Sequence, residues 1–222
     1  MSASQDYWDQ VAPRYDAMSA FLERRVLVRG RRWAVQRARG RVLEVGIGTG
    51  TNVPLYGAAV ELIGIDPSEG MLAQARSKMT TLVTSRSGSA EQADGSAPSA
   101  ARLPSVQLYR ADGHALPFED ATFDAVVSTY VLCSVHDPEQ VLAEAVRVLR
   151  PGGDLLLADH VASTSRAVRL GQRALERWMR KTSDERLTRR PMDLLAGLGL
   201  ETVDSTRRIA GVLETVHARS MT

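Results

Sequence analysis

The sequence contains a single cysteine, Cys133, among 222 residues. One thiol cannot form an intramolecular disulfide, and it cannot supply a zinc site built on several thiolates. We therefore predict no metal site. Long apolar runs are absent too: no segment approaches the roughly 18–20 apolar residues that span a bilayer. Asp6, Asp9 and Asp16 interrupt the N-terminal region, where a signal peptide would need such a run. We expect a cytoplasmic protein.

An excess of one charge is also missing. The formal net charge is +2 at pH 7, and no aromatic-rich surface accompanies the basic residues, so we predict no nucleic-acid partner. The basic residues are nevertheless clustered. Residues 1–41 hold nine arginines against four acids, and residues 159–190 hold nine Arg or Lys against four acids. The basic excess therefore flanks the central part of the chain.

Arginines recur at intervals of three and four residues within a predicted helix over residues 165–181, which places them along one helical face. This stripe comprises Arg166, Arg169, Arg173, Arg177 and Arg180. A second, apolar face comprises Ala167, Leu170, Ala174 and Trp178. Two interpretations stay open: a solvated face partly paired with Glu176, or a basic amphipathic helix in peripheral contact with an anionic membrane. Nothing in the sequence indicates the oligomeric state.

Short apolar segments alternate with helical ones, as in a mainly parallel sheet with helices on both faces. We predict strands over residues 41–45, 61–65, 106–110, 123–128, 154–158, 200–209 and 212–219. We predict helices over residues 4–38 with a break at Pro13, 67–79, 138–149, 165–181 and 188–197. The last two strands would form an antiparallel hairpin across Ala210 and Gly211. The predicted fold class is α/β, with a doubly wound, seven-stranded, mainly parallel sheet.

We predict one domain over residues 1–222, with three segments added to the sheet and its helices. Residues 1–38 form an N-terminal helical lid, and residues 161–190 form a small helical cap. Residues 80–104 are rich in Ser, Ala, Thr and Gly and lack apolar periodicity. We therefore predict a flexible insertion there.

Three glycines, Gly46, Gly48 and Gly50, directly follow the first predicted strand. In a doubly wound sheet the ligand lies beyond the carboxyl ends of the strands, where the strand order reverses. Glycine suits a tight turn at that place because it accepts positive φ and has no Cβ to block a ligand. The dinucleotide fingerprint needs a glycine where this sequence has Thr51. The spacing therefore differs from that of a nicotinamide site.

Acidic residues follow the same pattern on the neighbouring strands. Asp66 lies 20 residues after Gly46, where a carboxylate can accept hydrogen bonds from both hydroxyls of a ribose. Asp112 and Gly113 lie at the end of the third predicted strand, where Asp112 can accept from an adenine amino group. Glu44 either supports the glycine loop or meets the charged end of the ligand through water. Together these residues predict an adenosyl-type ligand.

Four segments carry a resemblance to a known family: VLEVGIGTG at residues 42–50, IDPS at 65–68, ADGHALPF at 111–118 and VLRPGG at 148–153. The chain resembles the class I S-adenosylmethionine-dependent methyltransferases, and within them the ubiquinone/menaquinone C-methyltransferase-like group, over residues 5–160. The resemblance implies a Rossmann-like fold, S-adenosyl-L-methionine as cofactor and S-adenosyl-L-homocysteine as product.

The resemblance also implies roles for individual residues. The three glycines would hold the methionyl part, Asp66 the ribose, and Asp112 with the backbone of Gly113 and His114 the adenine. The implied cofactor-binding set is completed by Tyr7, Glu44, Asn52, Pro67, Met71 and Thr129. The N-terminal segment with Tyr7, Tyr15 and Asp16 is similar to the aromatic lid of such enzymes. Tyr15 is either the lid residue or a core residue of a short helix.

Three residues are the candidates for catalysis: Tyr15, His136 and His160. The two histidines follow the fourth and fifth predicted strands on the ligand side of the sheet, and a histidine there can take a proton from the acceptor. The alternative for each histidine is a place in a surface loop. A thiol needs a weak base or none, whereas a phenol or an amine gains more from one. The histidines therefore do not identify the acceptor atom.

Two further segments bear on the acceptor, which we expect to be a small molecule. VLCSV at residues 131–135 and ADHV at 158–161 are similar to methyltransferase-like thiol S-methyltransferases, which slightly favours thiol sulfur. The same segments resemble bacterial phosphatidylethanolamine N-methyltransferases. N-methylation of a phospholipid headgroup and C- or O-methylation of a quinone or phenol therefore stay open. A non-catalytic adenosyl-ligand-binding protein is the remaining alternative.

Overall fold

The structure is a computed structural model that describes residues 3–90, 103–179 and 186–221. Its strands are β1 (Arg41–Val45), β2 (Glu61–Asp66), β3 (Ser105–Arg110), β4 (Phe123–Thr129), β5 (Leu149–His160), β6 (Leu200–Arg208) and β7 (Leu213–Ser220). They form one seven-stranded sheet in the order β3-β2-β1-β4-β5-β7-β6. The first five strands pair in parallel, and β7 pairs antiparallel with β5 and β6. The predicted sheet and its C-terminal hairpin are confirmed.

The helices cover both faces of this sheet. They are α1 (Ala3–Leu22), α2 (Val28–Val35), α3 (Glu69–Ala90), α4 (Pro138–Val148), α5 (Arg166–Met179) and α6 (Pro191–Leu194), with a π-helical segment at Glu23–Leu27 and a 3₁₀ turn at Val53–Leu55. Among the helices of the described ranges, none combines the length and apolar content that a bilayer crossing requires.

Neighbouring residues of a strand pack into two separate cores, because successive side chains point to opposite faces of the sheet. In β1, Leu43 packs into a core with Val141 and Leu142 of α4. Its neighbour Val42 packs into a core on the other face with Val35 of α2 and Leu72 of α3. β1 lies between β2 and β4, so the chain runs outward to β3 and returns to β4. The strand order therefore reverses at β1, and a ligand site is expected beyond its carboxyl end.

The predicted break at Pro13 is wrong. α1 contains Pro13 and continues through the π-helical segment into α2. Proline has no N–H for the carbonyl of the residue four positions earlier, which is Asp9. The turns on both sides of Pro13 are held from outside the helix, because Asp9 accepts a hydrogen bond from the Ser68 hydroxyl at 2.5 Å and Asp16 accepts one from the Thr49 hydroxyl at 2.6 Å. These contacts stabilise the helix across the proline.

The helix predicted to end at residue 79 continues as α3 to Ala90. The segment 80–104 predicted as an insertion therefore begins in a helix, and residues 91–102 lie outside the described residues. The hydroxyls of Thr80, Thr81 and Thr84 each donate to the carbonyl four residues earlier. These bonds satisfy the hydroxyl groups of the polar residues, whose abundance in the sequence had indicated a segment without a helix.

β5 and the helix that follows α5 also differ in extent from the prediction. β5 begins at Leu149 and not at residue 154, with a register shift against β4 between Phe123 and Ala125. The helix predicted over residues 188–197 is the single turn α6. It begins at Pro191, which suits a first helical position, and the chain reaches Gly197 with φ of 87° soon afterwards. Glycine in that conformation ends helices.

Gly30 of α2 provides a test of how closely α2 packs against Tyr130, because a Cβ at position 30 would overlap the Tyr130 hydroxyl. That hydroxyl cannot easily move, since it donates to the Leu27 carbonyl at 2.9 Å. We expect Gly30→Ala to lower the free energy of unfolding by about 1–3 kcal/mol, although alanine normally stabilises a helix. Gly171 of α5 is the control: a Cβ there meets no atom within 4 Å, so Gly171→Ala should raise stability by about 0.5–1 kcal/mol. Urea unfolding measures both, and a stabilised Gly30→Ala variant would contradict this packing.

Candidate active site

The loop after β1 carries the three predicted glycines. Gly46 and Gly48 have positive φ values of 70° and 55°. A Cβ on Gly46 would overlap the side chain of Val131, whereas a Cβ on Gly48 would meet no atom within 4 Å. The Gly48 backbone is therefore open to a ligand, and Gly46 lets the segment after β4 pack closely. Gly50 has a packing role, because its Cβ would lie 3.2 Å from Ala75 of α3.

Asp66, the last residue of β2, is hydrogen-bonded to the same loop. Its carboxylate accepts from the Gly48 amide at 3.0 Å and from the Ser68 amide at 2.9 Å. Burial raises the pKa of Asp66 to about 6, although the two amides act in the opposite direction. The carboxylate is thus fixed where the carboxyl ends of β1 and β2 meet.

Asp112 lies just beyond the carboxyl end of β3. Burial raises the pKa of its carboxyl, but hydrogen bonds from the amide and the ring of His114 outweigh burial and leave that pKa lowered. The His114 Nδ1 lies 2.5 Å from the Asp112 Oδ1, and the His114 Nε2 accepts from the Asp137 amide at 3.1 Å. The Nδ1 therefore carries the proton, and His114 links Asp112 to the start of α4.

A cavity of about 540 Å³ opens at this edge of the sheet, and such a volume is typical of small-molecule sites. The predicted site residues in its wall are Tyr15, Gly46, Gly48, Asp66, Pro67, Met71, Asp112, Gly113, His114, Thr129 and His136. The structure thus brings the carboxyl ends of four parallel strands and one side of α1 around a single cavity.

Five predicted site residues do not line this cavity: Tyr7, Glu44, Gly50, Asn52 and His160. Glu44 and Asn52 belong to a buried network behind the glycine loop. The Glu44 carboxylate accepts from the Asn52 side-chain amide at 2.7 Å and from the Tyr56 hydroxyl at 2.9 Å. Burial raises the pKa of Glu44 to about 7 against these two bonds. Of the two roles predicted for Glu44, the geometry matches support of the loop.

α1 contributes Gln5, Trp8 and Tyr15 to the cavity wall. Trp8 and Tyr15 lie seven residues apart and so share a helix face, with ring centroids 6.1 Å apart in an edge-on arrangement. Tyr7 is one residue from Trp8 and therefore projects about 100° away from that face. The cofactor-binding set implied by the resemblance included Tyr7 and not Trp8, although the spacing of Trp8 to Tyr15 contains the necessary signal.

His160 was predicted to face the acceptor, and the structure corrects this placement. Its ring packs against that of Tyr130 at a centroid distance of 5.0 Å, and Tyr130 lines the cavity where His160 does not. Its Nδ1 is buried and has no hydrogen-bond partner among the described residues. Burial, followed by the nearby charge of Arg31, lowers the pKa of His160 to about 4. Of the two predicted histidine bases, His136 is the one in the cavity wall.

Three side chains each offer an atom that could bind a metal ion, and these atoms lie within 4.8 Å of one another. The three residues are Cys133, Asp159 and His160. The Asp159 carboxylate accepts from the Leu132 amide at 2.7 Å and from the His160 amide at 2.8 Å. Burial raises the pKa of Asp159 to about 6, and these amides with the Cys133 thiol act against that rise. The hydrogen bonds of Asp159 therefore hold the turn after β4. The absence of a metal site stays a prediction.

Arg31 and Tyr130 are cavity residues that the sequence did not indicate. Arg31 is 7% exposed. Its guanidinium pairs with Glu23 at 2.6 Å, donates to the Thr129 hydroxyl at 2.8 Å and lies over the Tyr130 ring at 4.9 Å. Tyr130 has φ of 60°, a strained conformation for a residue other than glycine. No pattern separates Arg31 from the arginines around it. Tyr130 directly follows the end of β4, and the strand-end rule that selected Asp66 and Asp112 would have found it.

Residues 43–157 match the family model described as the methyltransferase domain. This match covers more than half of the chain. The chain is a class I S-adenosylmethionine-dependent methyltransferase. Within that class it belongs to the ubiquinone/menaquinone C-methyltransferase-like group, so the resemblance found in the sequence is confirmed.

Two relatives show how far the similarity of this methyltransferase extends. A phosphatidylethanolamine N-methyltransferase of Cereibacter sphaeroides is 34% identical over 182 residues, which is 79% of this chain and 77% of the relative. A ubiquinone/menaquinone biosynthesis C-methyltransferase of Geobacter sulfurreducens is 35% identical over 171 residues, which is 73% of this chain and 59% of the relative. The chain therefore spans about three fifths of the quinone relative. Neither relative is named for a thiol acceptor.

A solved structure supports the fold of the methyltransferase. It is a methyltransferase of Thermotoga maritima, described as a possible histamine N-methyltransferase, with a TM-score of 0.66 at 22% identity. The alignment covers 97% of this chain and 99% of that one. The Rossmann-like arrangement predicted from the sequence is therefore confirmed.

The cavity of the methyltransferase fits its cofactor, S-adenosyl-L-methionine. The open backbone at Gly48 would adjoin the methionyl part, the fixed Asp66 carboxylate would hold the ribose, and Asp112 with Gly113 would adjoin the adenine. Each assignment uses a residue that lines the cavity. The cofactor supplies an electrophilic methyl group when it is bound, and the protein residues hold it in one orientation.

We expect Asp66→Ala to abolish detectable binding of S-adenosyl-L-homocysteine, because the ribose loses its acceptor and the Gly48 amide loses its partner. Isothermal titration calorimetry measures the affinity, and thermal unfolding checks that the fold persists. Glu61→Ala is the matched control, since it removes an exposed carboxylate from the other end of β2. Unchanged affinity in Asp66→Ala would remove Asp66 from the ribose site.

The affinity for S-adenosyl-L-homocysteine should fall as the pH decreases from about 7.5 to 5. The Asp66 carboxyl of the ligand-free protein has a pKa of about 6, and only its ionised form has acceptor sites for both ribose hydroxyls beside the two amides. In Asp66→Asn the affinity should be lower and should depend less on pH in this range. The folded pKa lies above the ordinary 3.8. This carboxyl therefore stabilises the folded protein below pH 3.8, and that stabilisation is lost as the pH rises through 6. Protonation of Asp66 at pH 5 thus does not favour unfolding, so unfolding of this kind does not explain weaker binding at pH 5. A flat profile in the native protein would contradict this electrostatic account.

Proposed function

We propose that this methyltransferase methylates the amine of a phospholipid headgroup, of the phosphatidylethanolamine kind, at an anionic membrane surface. The observation that carries the proposal is the outer face of α5, which is apolar and bordered by arginines. The relative named for phosphatidylethanolamine methylation, which matches most of both chains, supports the choice of an amine.

The face of α5 that meets the protein is polar. Gln172 and Glu176 are both 7% exposed. The Gln172 side chain donates to the Val161 carbonyl at 2.9 Å and accepts from the Ser163 amide at 2.8 Å, and Glu176 accepts from the Thr188 amide at 3.0 Å. Glu176 is thus bonded inward to Thr188, and its pairing with the arginine stripe stays a prediction.

The outward face of α5 is apolar. Leu170 is 68% exposed, Leu175 is 46% exposed and Val168 is 38% exposed. Of the predicted apolar face, Ala167, Leu170 and Ala174 are all exposed, while the Trp178 side chain lies outside what the structure describes. Burying a polar face and exposing an apolar one is the reverse of an ordinary surface helix, and it favours an apolar partner.

Arginines border this apolar face. Arg166, Arg173 and Arg177 are exposed, Arg169 is half-buried, and Arg180 lies outside the described residues. A helix with apolar side chains beside a basic stripe matches the interface of a bilayer with anionic headgroups. The charges and the apolar residues of α5 therefore support the same partner.

α5 is connected to the cavity through the segment that follows it. Gln172 donates to the Leu187 carbonyl at 3.1 Å, and the Arg189 guanidinium donates to the Val135 carbonyl at 2.6 Å and to the Leu132 carbonyl. Val135 lines the cavity. The segment after α5 therefore links the inward face of this helix to the end of the cavity that is formed after β4.

The chemistry of an amine acceptor needs a proton acceptor, because only the neutral amine attacks a methyl group. His136 and Tyr15 are the cavity residues proposed to take or relay this proton, directly or through water. The Arg31 guanidinium lies in the same wall, but it is already paired with Glu23, so it offers no free charge to a phosphodiester. The protein thus supplies orientation and a proton path.

The second candidate is C-methylation of a membrane-borne quinone precursor, which the Geobacter sulfurreducens relative favours by its name. It uses the same outer face of α5. The thiol acceptor that the sequence slightly favoured has no support in the two relatives named above, and the Cys133 and His160 segments that suggested it hold the turn after β4.

An activity assay tests the choice of acceptor. The enzyme is incubated with methyl-labelled S-adenosyl-L-methionine and vesicles that contain phosphatidylethanolamine and an anionic lipid, and products are identified by mass spectrometry. We expect a labelled monomethylated headgroup. Label in a quinone precursor or in a thiol of a parallel panel, with none in the headgroup, would overturn the proposal.

Vesicle binding tests the role of α5. We expect Arg166→Glu/Arg173→Glu/Arg177→Glu to reduce sedimentation with anionic vesicles by about tenfold or more, since each basic residue near such a surface contributes about 1 kcal/mol. Leu170→Gln/Leu175→Gln should weaken binding at high salt as well. Arg37→Glu/Arg39→Glu, at the opposite edge of the sheet just before β1, is the control. Equal losses in the control and in the α5 variants would contradict a specific docking face.

A further inference from the structure

Two acids of α1, Asp9 and Asp16, bind the two loops that frame the cofactor site. They are seven residues apart and so lie on one side of the helix. Neither lines the cavity, and the amino-acid pattern did not single out Asp9. Each directly follows an aromatic residue that does line the cavity, Trp8 and Tyr15 respectively.

Asp9 binds the loop after β2. Its Oδ1 accepts from the Ser68 hydroxyl at 2.5 Å and from the Gly70 amide at 2.8 Å. These bonds lower the pKa of Asp9, so it is ionised at neutral pH. Ser68 also donates its amide to the Asp66 carboxylate at 2.9 Å. A Cβ on Gly70 would lie 3.0 Å from the Asp9 backbone, which shows how closely α1 lies on the start of α3.

Asp16 binds the glycine loop. Its Oδ1 accepts from the Thr49 hydroxyl at 2.6 Å, and its Oδ2 pairs with the Lys78 ammonium at 2.6 Å. The same ammonium lies 3.2 Å from the Thr49 hydroxyl. Thr49 stands between the open backbone of Gly48 and the packed Gly50. Asp16 therefore connects α1 to the loop that would adjoin the methionyl part of the cofactor.

We propose that Asp9 and Asp16 are positioning residues that hold α1 against the loop after β2 and the glycine loop and thereby place Trp8 and Tyr15 against the bound cofactor. The position of α1 and the geometry of both loops then depend on each other. A cofactor that orders the loops also orders α1, and an ordered α1 slows the release of the cofactor. This inference does not depend on which acceptor is methylated.

The first test measures the dissociation rate of S-adenosyl-L-homocysteine by stopped flow. We expect Asp9→Ala to raise the rate about tenfold, because two hydrogen bonds to a charged group are lost. Asp16→Ala should raise it about threefold, since the Asp16 side chain is 51% exposed and exposed ion pairs are weak. Asp9→Asn, which keeps an acceptor for the Ser68 hydroxyl, should fall between the native protein and Asp9→Ala.

Asp6→Ala is the matched control, because it removes an exposed acid from the first turn of the same helix, and its rate should equal that of the native protein. A cycle of Asp16→Ala, Lys78→Ala and the double variant should show that the two effects on the rate are not additive. Should Asp9→Ala fail to fold, Asp9→Asn and Asp16→Ala still carry the test.

Hydrogen exchange of the cofactor-free and cofactor-bound protein gives a second measurement. In the native protein, S-adenosyl-L-homocysteine should slow exchange of amides in α1, and this slowing should be reduced in Asp9→Ala and Asp16→Ala. A purely structural role would increase exchange in α1 equally with and without the ligand and leave the dissociation rate unchanged. That result, or native rates in both alanine variants, would overturn the proposal.

Discussion

The hydrogen bond from the Gly48 amide to the Asp66 carboxylate connects the two strand ends on which the active site depends. β1 and β2 are neighbours in the sheet, so the loops that follow them meet at the place where the strand order reverses. Asp66 also accepts from the Ser68 amide, and Ser68 in turn donates to Asp9 of α1. One carboxylate thus fixes the glycine loop, the loop after β2 and, through Ser68, the N-terminal helix.

Carboxyl groups buried at this edge of the sheet reduce stability at neutral pH. The pKa values of Asp66 and Asp159 are raised to about 6 and that of Glu44 to about 7, in each case chiefly by burial. A folded pKa above the ordinary value means that ionisation disfavours the folded state. Tyr130 adds backbone strain at the end of β4. Perturbed acids and strain concentrate at functional sites, and here they surround the cavity.

The placement of Gly48, Asp66 and Asp112 could be predicted from the sequence because parallel strands bring their carboxyl ends to one edge. The sequence did not predict residues whose place in the cavity wall depends on other features of the fold. Arg31 is one of several arginines in a helix, and only the tertiary fold turns it towards Glu23 and Thr129. His160 also follows a strand end, yet Tyr130 occupies the cavity wall beside it.

The orientation of α5 illustrates a second limit. Its sequence shows a basic stripe and an apolar face, and the usual expectation is that the apolar face packs inward. The inward face is instead formed by Gln172 and Glu176, which bind backbone groups at Val161, Ser163 and Thr188. Those backbone partners become available only in the folded chain, so periodicity alone could not identify them. Periodicity could not predict the continuous helix around Pro13 either, because that helix is held by contacts with distant loops.

The most direct test of this account is a structure of the protein in complex with S-adenosyl-L-homocysteine. The account predicts both ribose hydroxyls within hydrogen-bond distance of the Asp66 carboxylate, the adenine beside Asp112 and Gly113, and the methionyl part against the backbone at Gly48. A ligand bound elsewhere, or one in this cavity whose ribose does not contact Asp66, would contradict it.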